Sequence, residues 1–220
     1  MRQDHDPVEW EGVSPEVVAE FAKTIGLLNA APNRISYLLM VQLYLQAAVA
    51  DIGSRVVAEI KALEGLGQSY GMRKDFEPFR KLPLRGLMKK HYLPRNSEAI
   101  RKNLENERWK QRERLSAFIT DQAQKVDHSA ITEGVWEAAG AVSSLVCHDF
   151  WNDRKARNEL TGEWIVLAQH EGQNYYLTLA KHKEGATQKE GDQRIYCRIV
   201  ESCIPQFPFL AHIIDTGASS

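Results

Sequence analysis

The sequence predicts an α+β fold: a mainly helical bundle around a long central helix, with a small C-terminal three-stranded antiparallel sheet packed on it. Three observations carry this expectation. An apolar stripe at steps of three and four runs from Asn33 to Gly65. Further segments of helical spacing follow to about residue 160. From Glu163 onward, short runs rich in β-branched and aromatic residues take over. Residues 1–160 are therefore expected to be helical. Residues 161–220 should form a β meander and a C-terminal segment, joining the helices in one compact domain.

Each element has its own signal. Residues 1–13 read as an arm with Trp10 as its docking residue. Ser14-Pro15-Glu16 starts a short helix, with a cap, a proline in the first turn and an acid at the positive end. Ala31-Pro32 ends that helix, and Asn33 is the expected cap of the central one. Its stripe is Leu38, Val41, Leu45, Val49, Ile52, Val56, Ile60 and Leu63. Ile35, Leu39, Leu43, Tyr44 and Ala47 widen the apolar surface of the first half. A helix apolar on several sides needs cover, from its own chain or from a second copy. The run from Ile35 to Ala50 is shorter than the ~20 residues of a membrane span. It also carries Gln42 and Gln46, so no span is expected.

Residues 65–93 are interrupted by glycine and proline and read as mostly irregular, with a short helix expected at 73–80 or 84–92. A helix from about Ser97 to Val126 follows, intermittently apolar and heavily charged in the middle. Ser129 caps a further helix to about Phe150, with Ile131, Val135, Ala138, Val142, Leu145 and Val146 inward. Its small residues suit it to lie against the central helix. The expected strands are 163–169, 174–181 and 194–200. The first two are joined by His170-Glu171-Gly172-Gln173, and residues 183–192 form a loop.

Composition sets wide bounds. The formal net charge of the 220 residues is −1, which points to no polyanionic partner on average. Three cysteines without close pairing fit a reducing compartment. The polar, acidic first residues carry no apolar signal region, so a cytoplasmic location is expected.

Charge placement is more informative. Residues 72–114 hold 14 Lys and Arg against 6 Asp and Glu, or +8, while the remainder is −9. Interleaved aromatics within a basic segment supply phosphate contacts and stacking surfaces. The expected function is thus nucleic-acid or phosphate binding through Lys89, Lys90, Arg95, Arg101, Lys102, Arg108 and Trp109. The competing reading is that these cations meet acidic surface in the same chain or in a partner protein.

Within this segment Arg85 precedes His91. An arginine a few residues before a histidine in a helical protein is similar to the pattern of the HEPN ribonucleases. The resemblance implies acid–base chemistry at His91 and phosphate stabilisation at Arg85. Spacings of this kind arise about once by chance in a chain of this composition, so they do not assign the family.

No CxxC, HExxH or calcium-loop pattern occurs, so no metal and no cofactor are expected. Cys147, His148 and Asp149 are adjacent, which on a helix points them apart. His170 and Glu171, with Asn174 and Tyr175, form a polar cluster at the hairpin tip. Three functions therefore stand from sequence: a nucleic-acid- or phosphate-binding protein, an RNA-cleaving enzyme using Arg85 and His91, and a non-enzymatic oligomer or protein-interaction module.

Overall fold

A computed structural model describes residues 13–47, 52–69, 75–94, 97–126, 131–157, 159–160, 162–181 and 184–218. In chain order the elements are α1 (Pro15–Thr24), α2 (Leu27–Ala30), α3 (Tyr37–Gln46), α4 (Ile52–Leu63), β1 (Glu77–Pro78), β2 (Met88–Tyr92), α5 (Ser97–Lys110), α6 (Arg112–Gln124), α7 (Ile131–Ser144), a π turn (Leu145–Asp149), α8 (Phe150–Ala156), β3 (Glu163–His170), β4 (Gln173–Ala180), α9 (Gln188–Ser202) and α10 (Phe209–Ala218). The fold is α+β. The chain divides into two compact units: Met1–Tyr70, Lys74–Pro94 and Gly162–Ser220 in the first, Gly71–Arg73 and Arg95–Thr161 in the second.

The first unit is built on a four-stranded antiparallel sheet in the order β1-β2-β3-β4. β2 pairs with β3 in a register that sets Lys89 beside Val166 and His91 beside Trp164. One face packs on α1 to α4, with Ile165, Leu167, Tyr176 and Leu179 meeting Leu39, Leu43, Val56 and Ile60. The other face carries Trp164, Val166 and Leu177, covered by Ile195, Ile199, Phe207, Leu210 and Ile214.

The expected hairpin is present. His170 ends β3 and Gln173 begins β4, leaving Glu171 and Gly172 as a two-residue turn. Both have positive φ, 51° and 73°, the combination that matches the twist of paired strands. At the other end of β3, a side chain on Gly162 would fall 1.9 Å from the Tyr92 carbonyl oxygen, so only glycine fits there.

Three expectations are corrected. The continuous helix over 33–65 is described as two, α3 and α4; residues 48–51 lie outside the described residues. Asn33 is not the cap. It has φ 58°, and Ser36 caps α3 by accepting from the Leu39 amide at 2.9 Å. The helix starts late because the preceding backbone pairs with β4: Tyr176 N–H donates to the Arg34 carbonyl at 2.8 Å and Ser36 N–H to the Tyr176 carbonyl at 2.9 Å. α3 therefore packs on α1, α4 and β4, and α4 on β2 and α2, whereas the helix from Ser129 belongs to the second unit.

The second correction is the sheet. The expected strand at 194–200 is the middle of α9, and the expected loop at 183–192 contains its start. Thr187 caps α9 by accepting from the Glu190 amide at 3.2 Å, and the Glu190 carboxylate accepts from the Ala186 amide at 2.9 Å. Ile195, Ile199 and Cys203 are buried at steps of four, the helical period. Thirdly, β1 and β2 occupy the stretch read as irregular or helical. The strand Met88–Tyr92 is hard to see because two of its five residues are lysines.

The second unit is helical. The expected helix over 97–126 is broken at Gln111 into α5 and α6. α5 packs on α8 and the π turn, and α6 on α7. Its interior is polar: Glu107 is fully buried, with Arg157 at 2.7 Å and the buried Arg154 at 3.4 Å. Among the described residues Ala99, Leu145, Phe150 and Leu160 supply its buried apolar surface. α6 buries no residue, and Val135, expected inside, is exposed.

Candidate nucleic-acid interface

The residues singled out from sequence fall in both units. Arg85 sits half-buried in the turn before β2, and His91 is half-buried on β2. The His91 Nδ1 lies 3.2 Å from the Gly162 carbonyl oxygen. Burial lowers the His91 pKa below 6.5. The bond to Gly162 opposes this, and the charge of Lys89 adds to the lowering. The strand placement means that the Arg85–His91 spacing does not lie on a helix.

Lys89 and His91 share one face of β2, because successive strand side chains alternate. Lys89 Nζ stands 4.7 Å from the Trp164 ring centroid and 5.5 Å from that of Phe79. Lys90 points to the opposite face. It is 0% exposed and 3.1 Å from the Glu59 carboxylate, itself 1% exposed, and Ser69 Oγ donates to the same carboxylate oxygen at 2.6 Å. Lys90 is thus part of the interior and offers no surface to a ligand. Arg95 lies outside the described residues.

In the second unit, Arg101 pairs with Glu105 at 2.7 Å, Lys110 with Glu159 at 2.9 Å and Arg114 with Asp153 at 2.8 Å. Much of the basic segment is therefore matched by carboxylates nearby. Lys102 and Arg108 are exposed, and among the described residues no carboxylate pairs with either.

Arg108 and Trp109 instead border a surface groove of about 370 Å³, completed by Arg112, Leu115, Ser116, Ile119 and Thr120. Trp109 is 67% exposed. The residues recur at steps of three and four, which places them along one stripe of α5 and α6. Among the described residues the carboxylate that pairs with Arg112 is the exposed Glu113, at the 4.0 Å limit of an ion pair. The groove thus offers guanidinium groups, an indole face, two hydroxyls and a short apolar floor. Sequence reading reached Arg108 and Trp109 but stopped short of Arg112 to Thr120, although the same helical spacing connects them.

The remaining polar candidates are engaged with neighbours in the first unit. Asn174 Nδ2 and Tyr176 Oη both donate to Glu64 Oε1, at 3.1 and 2.7 Å, and Arg34 Nη2 meets Glu64 Oε2 at 2.5 Å. Burial raises the Glu64 pKa, but those three partners outweigh it and hold it below its ordinary value. The His170 ring stacks on Phe209 with centroids 4.1 Å apart. Cys203 is buried and its thiol pKa is pushed up to about 12 by burial, so it is not a nucleophile at neutral pH. Among the described residues no group of His, Cys, Asp and Glu is arranged to hold a metal ion. No described helix is long and apolar enough to cross a membrane.

No protein-family model matches the sequence, no curated protein matches it, and no solved structure matches the fold.

Proposed function

We propose that the chain binds nucleic acid in single-stranded form through the α5–α6 groove. The observation that carries this is the placement of the exposed Trp109 between Arg108 and Arg112 on one helical stripe. An indole face takes an unstacked base with little regard to its identity, and flanking guanidinium groups meet the phosphates on either side. Ser116 and Thr120 add hydroxyls within the same groove. Duplex is the poorer ligand, since its bases are already stacked.

Binding of a fluorescent RNA or DNA oligomer across a salt series tests the reading. With roughly three phosphates met by Lys102, Arg108 and Arg112, log K should fall against log salt with a slope of about −2. No binding at low salt removes the proposal.

A second reading, an acidic protein partner, draws on the exposed Lys102 and Arg108, which no carboxylate pairs among the described residues. It requires the groove to prefer an acidic peptide to an oligonucleotide in direct competition. The RNA-cleaving reading places its chemistry at Arg85 and His91. Cleavage that survives both Arg85→Ala and His91→Ala removes that assignment.

A further inference from the structure

The α5–α6 groove straddles a joint. Arg108 and Trp109 stand before Gln111, and Arg112, Leu115 and Ile119 after it. Gln111 has φ −107° and ψ 27°, outside the helical range, so α6 leaves α5 in a new direction. Gln111 N–H donates to the Glu107 carbonyl and Leu115 N–H to the Gln111 carbonyl, each at 2.9 Å, so the backbone carries the helix through the bend. Apolar burial does little to set the angle there, because α6 has no buried residue.

Side-chain bonds do more. The Gln111 amide nitrogen donates to the Glu107 carboxylate on α5 and, at 3.2 Å, to Asp153 on α8. Its oxygen accepts from Arg114 on α6 at 2.7 Å, and Arg114 donates to the same Asp153 oxygen at 2.8 Å. Gln111, Arg114 and Asp153 thus close a ring that ties both helices of the groove to α8. α5 packs on α8 and α6 on α7, so the ring adds a tie between α6 and α8.

We infer that Gln111 is a positioning residue for the groove: it sets the angle at which α6 leaves α5, and with it the spacing between the Trp109 indole and the Arg112 guanidinium. The inference rests on the groove being the nucleic-acid site. The groove is lined by residues on either side of Gln111 and not by Gln111 itself. A base on Trp109 and its phosphate on Arg112 are held apart by one sugar. A groove already fixed at that spacing loses less freedom when the strand binds than a loose one does.

A fluorescent oligouridylate titrated into the full chain reads the effect. Gln111→Met keeps the length of the side chain and removes its bonds to Glu107, Arg114 and Asp153. It should weaken binding about tenfold, the order of coupling within one bonded network, with the circular dichroism spectrum unchanged. In a chain already carrying Trp109→Ala, the same substitution should cost about twofold or less, because the group it positions is gone. Asp153→Asn decides the matter should Gln111→Met fail to fold. It removes an acid, so charge alone would tighten binding, whereas a loosened joint weakens it severalfold. Unchanged binding in Gln111→Met, an equal cost with and without Trp109, or tighter binding in Asp153→Asn overturns the inference and leaves the groove as the nucleic-acid site. A wild-type chain that binds no oligouridylate at low salt removes the groove reading, and the inference with it.

Discussion

Lys90 on β2 and Glu59 on α4 form an ion pair at 3.1 Å with essentially no solvent exposure. The pair sits where the helix layer meets the sheet, so it joins two elements that the sequence separates by a glycine- and proline-rich stretch. Two charges taken out of water are stable there only as a matched set. Lys90→Met should destabilise the fold by about 3–5 kcal/mol, since it leaves a buried carboxylate without its cation. The double variant Lys90→Met/Glu59→Leu should recover most of that loss. Urea unfolding of the four proteins in the cycle measures both effects. A double variant as unstable as the single one would show that the pair is not the cause.

The groove makes a different kind of demand. Trp109 buries little in the free protein, so Trp109→Ala should leave the unfolding midpoint nearly unchanged. Its effect should fall on the ligand instead. Loss of one stacking contact is worth roughly 1–3 kcal/mol, or about five- to hundredfold in oligonucleotide affinity. Arg108→Ala should weaken binding uniformly across sequences and make the salt slope shallower by roughly 0.7, the share of one phosphate on a single strand. A Trp109→Ala protein that binds as well as wild type removes the indole from the interface.

Acid should act on the interior of the helical unit. Burial raises the Glu107 pKa, but bonds from Gln111 and Arg157, with the charges of Arg157 and Arg154, outweigh it and hold the carboxyl below its ordinary 4.5. In the unfolded chain the same carboxyl takes up a proton near 4.5, before the folded one does. The stability it contributes is thus complete above that pH and is lost as pH falls through the lower folded value. Thermal melts between pH 6 and pH 3 should show a steep acid limb. Glu107→Gln should lie lower at pH 6 and fall less steeply. A limb of equal slope in Glu107→Gln would assign the acid sensitivity elsewhere, with Glu64 next in line because its pKa is lowered as well.

Sequence made the hairpin legible because its turn chemistry is local: Glu171 and Gly172 lie between two apolar runs and need no distant partner. α1 was legible for the same reason, with Ser14, Pro15 and Glu16 all within one turn. β2 was not, because Lys90 reads as surface until Glu59 is known to lie against it, and the two are far apart in the chain. α9 was mistaken for a strand on its β-branched and aromatic content, although Ile195, Ile199 and Cys203 already stood at helical spacing. Content of that kind reflects a half-buried surface more than a backbone preference. The groove was half legible. Charge and aromatic interleaving pointed to Arg108 and Trp109. Leu115 and Ile119 gave no such signal, because they are uncharged and stand in an intermittent apolar stripe.

The π turn at Leu145–Asp149 takes up one residue more than an α turn would, since its bonds close from i to i+5. Removing one residue from that span should leave ordinary α-helix, with Phe150 still facing the interior and Arg154 still facing Glu107. A deletion within α8 has no wide turn to absorb it and would swing everything beyond by about 100°. In this part of the molecule the wide turn is the one place where the count of residues has room to change.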